Sequence, residues 1–347
     1  GEVVRTDLDA LRDAEEQRVL DVEAIAVCVA TLARIEAEEH ALVLTLHHLA
    51  TDEVTEEILW RDLARAYASA PDGAAKGAAP GLLLHPVDFA VWENTTERLA
   101  LGEDQLAWWR QELSDLGSGD ILPTDSAGET TPSFSGRRVH RHIDAATYRA
   151  FTMATRTSAA TPFVGMLAAW SAFLHRLCGV DDLCVGAPVS RRHLSGLEAS
   201  AGLFIAPLPF RSRRVRGCSF LEAIRAARET VLRVHEHSAV SLPTIVRNLR
   251  AHASAGGTSL FATMLVMRGA PVQAPTLPGL ETSLVEQEPR SAKVDLTLLV
   301  AERDGGLLLS LEYRDDSFAQ STAETWLEDF TAFLASISLQ PAAPATR

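Results

Sequence analysis

Two apolar runs near the C-terminus, VDLTLLVAE and LLLSLEYR, flank the four residues RDGG. An Asp-Gly pair between alternating or apolar runs is the strongest short-range hairpin signal, because both turn residues must accept positive φ. A chain built on that hairpin needs an apolar layer to cover it. Downstream, Trp326, Phe330, Phe333, Leu334 and Ile337 recur at three- and four-residue steps, the pattern of a helix with one buried face. Ser321 with Glu324 reads as its capping box, and Ser219 with Glu222 opens another helix to about His235. Thr161 then Pro162 marks a helix start and Gly179 its end, with Phe163, Leu167, Trp170, Leu174 and Leu177 as a buried stripe between them. Leu183–Ala187 and Leu260–Met267 read as short buried strands.

In the first half, ALVLTLHH (Ala41–His48) is the first clear strand. It is followed by a helix from about Glu53 to Ala68 whose apolar face carries Val54, Ile58, Leu59, Leu63, Ala66 and Tyr67. Another helix surrounds Leu106–Leu113. Residues 68–81 and 116–136 are rich in small and turn-forming residues and read as loops, the second as a connector between lobes. Strands mixed with helices in two parts predict an α/β (α+β) two-lobed chain, with an N-terminal lobe over 1–125 and a C-terminal lobe over 126–347.

Charge excludes one function class. The net charge is −14, against what a polyanion-binding surface needs, so no nucleic-acid partner is expected. Lys76 and Lys293 are the only lysines, which leaves few candidates for Schiff-base chemistry. Cys28, Cys178, Cys184 and Cys218 match no metal-ligand spacing and read as free, mostly buried thiols. No apolar run approaches a membrane span and the acidic start is unlike a signal peptide, so the expected location is cytoplasmic, with no membrane partner.

His47 and His48 end the first clear strand. Adjacent strand residues point to opposite faces, so only one imidazole can face a given cleft and shared metal ligation is not expected. One reacting imidazole and one packing imidazole is the division that suits them, imidazole being the natural general base near neutrality. Asp52 reads either as the N-cap of the helix from Glu53 or as an ion-pair anchor for the histidine loop. Arg211, Arg213, Arg214 and Arg216 form the densest basic run, read as a solvated strand edge or as a dock for an acidic carrier domain. His85, His175, His193, His235 and His237 read as surface or packed residues.

HHLATDEVT resembles the HHxxxDGx[ST] signature of the condensation domains of nonribosomal peptide synthetases. Further matches follow in that family's order: VDFAVWE (Val87–Glu93), LAWWRQEL, LPTD (Leu122–Asp125), GAPVSRR (Gly186–Arg192), AGLFIAPLPFR (Ala201–Arg211), SLFATMLVM with KVDLTLLV, and LEYRDDSF. The resemblance runs from about residue 30 to the end.

It implies a two-lobed fold like that of chloramphenicol acetyltransferase, with the histidine motif at the floor of a tunnel between lobes. It implies an acyltransferase, of the kind that builds peptide antibiotics, with no tightly bound cofactor. Donor and acceptor peptidyl carrier proteins would deliver substrates as phosphopantetheine thioesters. His48 matches the functional second histidine, beside His47, and Asp52 would pair with Arg192. Thr55 fills the motif's hydroxyl position. Glu53 stands where the family has glycine, and is expected to turn toward His48 and occupy space an acceptor needs. Ala206 and Pro207 replace an Asn-Thr pair. The SxAQ-type and RHExLRTxF-type motifs are absent, so the N-terminal lobe is expected to be incomplete. Amide and ester formation are not distinguished. A non-catalytic docking platform of the same fold, favoured by Glu53, and an epimerase-type relative remain alternatives.

Overall fold

The computed structural model describes residues 8–23, 27–69, 84–117, 122–125, 134–214, 217–252, 260–269, 272–285 and 290–344. Lys76, Arg216 and most of the expected loops 68–81 and 116–136 lie outside the described residues. The chain divides into two compact units. Unit 1 comprises residues 1–93, 190–205 and 272–284; unit 2 takes 94–189, 206–271 and 285–347. This division differs from a single boundary at residue 125: the Trp-Trp helix groups with unit 2, and the segment carrying Arg192 with unit 1.

Unit 1 holds α1 (Leu8–Glu16), the antiparallel pair β1 (Cys28–Arg34) and β2 (His40–Leu46), α2 (Glu53–Ser69) and α3 (Pro86–Glu93). Neither α1 nor β1 was expected from sequence. A buried carboxylate ties them together. Glu15 of α1 accepts from the hydroxyls of Thr31 on β1 and Thr45 on β2, each at 2.8 Å, and from Arg18 at 2.6 Å through both oxygens. The apolar face expected for α2 is only half realised, since Ile58 is buried while Ala66 and Tyr67 are exposed.

Unit 2 begins with α4 (Thr96–Leu113), longer than the expected 106–113. Then come β3 (Gly136–Ile143), α5 (Ala145–Thr157), α6 (Pro162–Cys178), β4 (Asp182–Ser190), β5 (Ile205–Arg213), α7 (Phe220–Glu236), α8 (Leu242–His252), β6 (Thr263–Met267), β7 (Leu296–Arg303), β8 (Gly306–Arg314) and α9 (Gln320–Leu339). Six strands form one mixed sheet in the order β3-β8-β7-β6-β4-β5. The β7–β8 hairpin turns at Asp304 (φ 53°) and Gly305 (φ 74°), as the Asp-Gly pair predicts.

Eleven of the 17 residues of α6 are buried, so its apolar character is that of a core helix. Trp170 packs edge-on to Phe330 of α9 at 5.0 Å between centroids and donates its indole N–H to Thr263 at 3.1 Å. Thr161 caps α6 and Gly179 ends it in the left-handed conformation (φ 69°), and Ser219–Glu222 forms the expected capping box of α7. Ser321 caps nothing. α9 starts at Gln320, with Ala319 as its N-cap residue and no side-chain cap, and the Asp125 carboxylate accepts from the N–H of Ala319 at 2.8 Å. Among the described residues no single helix is long and apolar enough to cross a membrane.

Candidate functional site

β2 stops at Leu46, so strand alternation does not orient the two histidines, contrary to the sequence expectation. His47 is extended (φ −75°, ψ 132°) and precedes a single 3-10 turn, His48–Ala50. Their backbone partners distinguish them instead. His47 accepts the N–H of Leu49 at Nδ1 (3.1 Å), so in its neutral form the proton sits on Nε2. His48 places Nδ1 3.0 Å from the carbonyl of Thr51. A carbonyl can only accept, so Nδ1 carries the proton and Nε2 is the basic nitrogen. His48 is exposed and His47 half-buried. Two neighbouring imidazoles thus hold opposite tautomers, set by local backbone geometry.

The turn runs into Thr51 and Asp52, both buried, and then into α2. Asp52 serves both roles considered from sequence. Its Oδ1 accepts the N–H of Thr55 at 3.0 Å, capping α2, and its two oxygens also receive the Arg192 guanidinium, Nη2 at 2.7 Å and Nε at 3.1 Å. The side chains of this pair are 2% and 7% exposed. Such burial is costly unless every remaining polar atom is satisfied. Here Arg192 Nη1 donates to the carbonyls of Leu197 (2.6 Å) and Ser200 (2.8 Å), and Nη2 also to that of Gly202 (3.1 Å). Asp52 Oδ2 accepts from Phe204 N–H at 3.1 Å, and the Phe204 ring lies 4.6 Å from the guanidinium carbon.

Thr55 locks the same lattice. Its hydroxyl has one proton, directed to Asp52 Oδ1 (2.8 Å) or the Gly202 carbonyl (2.9 Å), and it accepts from Gly202 N–H at 3.0 Å. Burial works to raise the pKa of Asp52, but Arg192, the Phe204 N–H and Thr55 outweigh it and hold the carboxyl below its ordinary range. Gly202 must be glycine: a Cβ there would stand 2.6 Å from Pro86 Cγ and 2.9 Å from the Phe204 ring.

Gly202, Phe204 and the carbonyls of Leu197 and Ser200 are the members of this lattice that sequence reasoning missed. The AGLF part of the AGLFIAPLPFR match could have pointed to Gly202 and Phe204, but nothing in the sequence marks the two carbonyls. Beside the lattice, Arg191 pairs with Glu93 at the end of α3. Glu53, the first residue of α2, is exposed in the first turn, where the helix dipole favours a negative charge. Pro207 falls in β5, an edge strand, where a missing N–H is tolerated.

The basic run does not form a solvated strand edge throughout. The Arg211 side chain is 1% exposed and is held by Asp182, Asp115 and the carbonyl of Glu112. All four cysteines are free; Cys28 is exposed rather than buried.

The model of the family described as "Condensation domain" matches residues 4–347. A linear gramicidin synthase chain of Brevibacillus parabrevis is 29% identical over 333 residues, covering 94% of this chain and 6% of that protein. The curated relatives are far longer, and the chain spans between 4% and 12% of their length. Among solved structures, the X-domain from teicoplanin biosynthesis is 25% identical with a TM-score of 0.88, covering 98% of this chain and 79% of that one. The X-domain in its complex with OxyB is 26% identical with a TM-score of 0.86, covering 98% and 76%. The fold is the chloramphenicol acetyltransferase-like α/β fold of these proteins, and this chain belongs to the condensation domain family.

Proposed function

We propose that this chain catalyses amide-bond formation between a carrier-bound acyl donor and a carrier-bound amine in nonribosomal peptide assembly. The observation that carries the reading is the tautomer of His48, whose Nδ1 is committed to Thr51 while Nε2 is basic, on a turn anchored by the Asp52–Arg192 pair. The acceptor amine attacks the donor thioester carbon, the C–S bond breaks, and the amine proton passes by way of His48 Nε2 to the departing thiolate of the phosphopantetheine arm. Asp52, Arg192 and Thr55 hold the turn, and His47 fixes it through Leu49. Glu53, exposed at the first position of α2 where the motif has glycine, narrows the space for the acceptor. The protein partners are donor and acceptor peptidyl carrier proteins, and no cofactor need be held tightly.

The test is turnover with matched donor and acceptor carriers, read from the mass of the acceptor carrier. His48→Ala is expected to lose about 10²–10⁴-fold, the range of a positioned general base. A loss well under tenfold would leave carrier positioning as the whole catalytic device. Glu53→Gly is expected to raise turnover; an active wild type unchanged by it would remove Glu53 from the reading.

A second reading rests on the likeness to the X-domain, one of whose structures is a complex with OxyB, together with Glu53 in place of the motif glycine. In that reading the chain is a docking platform for a partner protein. No turnover with any carrier-bound donor, alongside tight stoichiometric binding of a partner, would select it.

A further inference from the structure

Within unit 2, α6, α7 and the end of β5 enclose a cavity of about 550 Å³. That lies inside the range of small-molecule sites, roughly 300–1,000 Å³. Its inner walls are apolar: Leu167, Ala168 and Ala172 of α6, Phe210 of β5, and Ala223 and Ala227 of α7. Alanines on both facing helices leave the volume open where larger side chains would fill it.

The polar groups deeper in the wall are already satisfied. His175 is bonded to the carbonyl of Val180 at 2.9 Å and to the hydroxyl of Ser212 at 3.0 Å, and Arg211 is held by its carboxylates. An occupant's inner part therefore meets hydrocarbon and gains nothing from polar atoms there.

The mouth is different. Arg213 reaches Asp115 only at 3.7 Å and Glu112 at 3.9 Å, and Arg214 reaches Asp181 at 3.7 Å, all beyond hydrogen-bond range. The single acid among the described lining residues, Glu222, is engaged by the N–H (2.7 Å) and hydroxyl (2.8 Å) of Ser219. Guanidinium forks presented at the rim of an apolar cavity match an oxyanion head on an apolar body.

We propose that this cavity is a binding site for a small amphipathic anion, with a carboxylate or phosphate at Arg213 and Arg214 and a hydrocarbon body between α6 and α7. None of its residues belongs to the histidine turn or the Asp52 lattice, so the inference stands apart from the acyl-transfer reading.

The test is calorimetric titration of the whole chain at neutral pH with octanoate, octyl phosphate, octanol and octylammonium. The two anions are expected to bind one to one, and octanol and octylammonium at least about tenfold more weakly, the loss of a charge-assisted hydrogen bond. Whichever anion binds more tightly identifies the head group. Arg214→Gln should weaken the anions by about tenfold or more. Ala223→Phe, filling the cavity, should abolish binding, and Ala226→Leu at the exposed rim tests the same volume should Ala223→Phe fail to fold. His48→Ala should leave binding unchanged. Equal binding of all four probes, binding that survives both Arg214→Gln and the filling variants, or binding of neither anion would overturn the proposal.

Discussion

Removing one partner of the Asp52–Arg192 pair would strand the other, and the stranded group would lie where only 2–7% of its surface reaches water. Asp52→Ala and Arg192→Ala are each expected to destabilise the protein by about 3–5 kcal/mol, because an uncompensated buried charge is left behind. The two losses should not add. In a double-mutant cycle the double variant is expected to fall well short of the sum, since the second removal relieves the charge the first exposed. Denaturant titrations of the three variants and the wild type measure this, and strict additivity would show that the pair is not a coupled unit. This pair was legible in the sequence, because carboxylate and guanidinium both sit inside recognisable motifs 140 residues apart. Thr55 was legible with it, in the same motif as Asp52, but the rest of the lattice was not. Leu197 and Ser200 contribute main-chain carbonyls, which any residue type supplies, so composition and periodicity carry no trace of them; Gly202 is held to glycine by a lack of room that only the fold reveals. Strand alternation could not orient the histidines for a related reason: the strand ends one residue before His47, and a hydrogen bond to the Thr51 carbonyl, not the pleat, fixes His48.

At the scale of elements, local chemistry predicted helices correctly where nothing distant competed with it. Ser219 and Glu222 form a reciprocal box, with Glu222 N–H donating to Ser219 Oγ at 3.3 Å and Ser219 N–H to the Glu222 carboxylate at 2.7 Å. Ser321 and Glu324 have the same spacing and form no box. There the helix begins one residue before Ser321, which lies inside the first turn, and the Asp125 carboxylate, 194 positions away, accepts from Ala319. The two serines should therefore respond differently to the same change. Ser219→Ala is expected to cost about 1 kcal/mol, the usual loss of an N-cap. Ser321→Ala should stay within about 0.5 kcal/mol of wild type, and Asp125→Ala should cost about 1 kcal/mol through the lost hydrogen bond to the Ala319 N–H. Unfolding midpoints for the three variants decide it; a larger loss at Ser321 than at Ser219 would contradict the assignment. β1 escaped notice because its half-buried face carries Val29, Thr31 and Ala33 while Leu32 lies on the exposed one, so no apolar-polar alternation shows in the sequence. The hairpin of β7 and β8, by contrast, was legible because the turn demands positive φ and the sequence offers Asp-Gly.

At the scale of the whole molecule, acid should act on the two units in different windows. In unit 2 His175 is 4% exposed, and burial, aided by Arg214, holds its pKa below the ordinary value, while the Val180 carbonyl, Asp181 and Asp182 oppose that shift. The unfolded chain then binds the proton that the folded chain refuses, so stability falls as pH drops below about 6.5, the unfolded value. In unit 1 the sign is that of a depressed carboxylate. Hydrogen bonds from Arg18 and Thr45, opposed by burial and helped by Thr31, bring Glu15 down to about 2, and Asp52 is also lowered. Their contribution is complete above the unfolded carboxylate values near pH 4 and is lost as pH falls from there toward about 2. The other depressed carboxylates, Asp115, Asp144 and Glu222, are exposed and screened, and should add little. Calorimetric melting across pH 7 to 2 is therefore expected to show an early decline that His175→Gln flattens and a later one that Glu15→Gln flattens. Each substitution removes the titrating group while keeping an amide able to hydrogen-bond, so each should leave the other window untouched. A single decline, unaltered by either variant, would show that neither buried group governs the acid response.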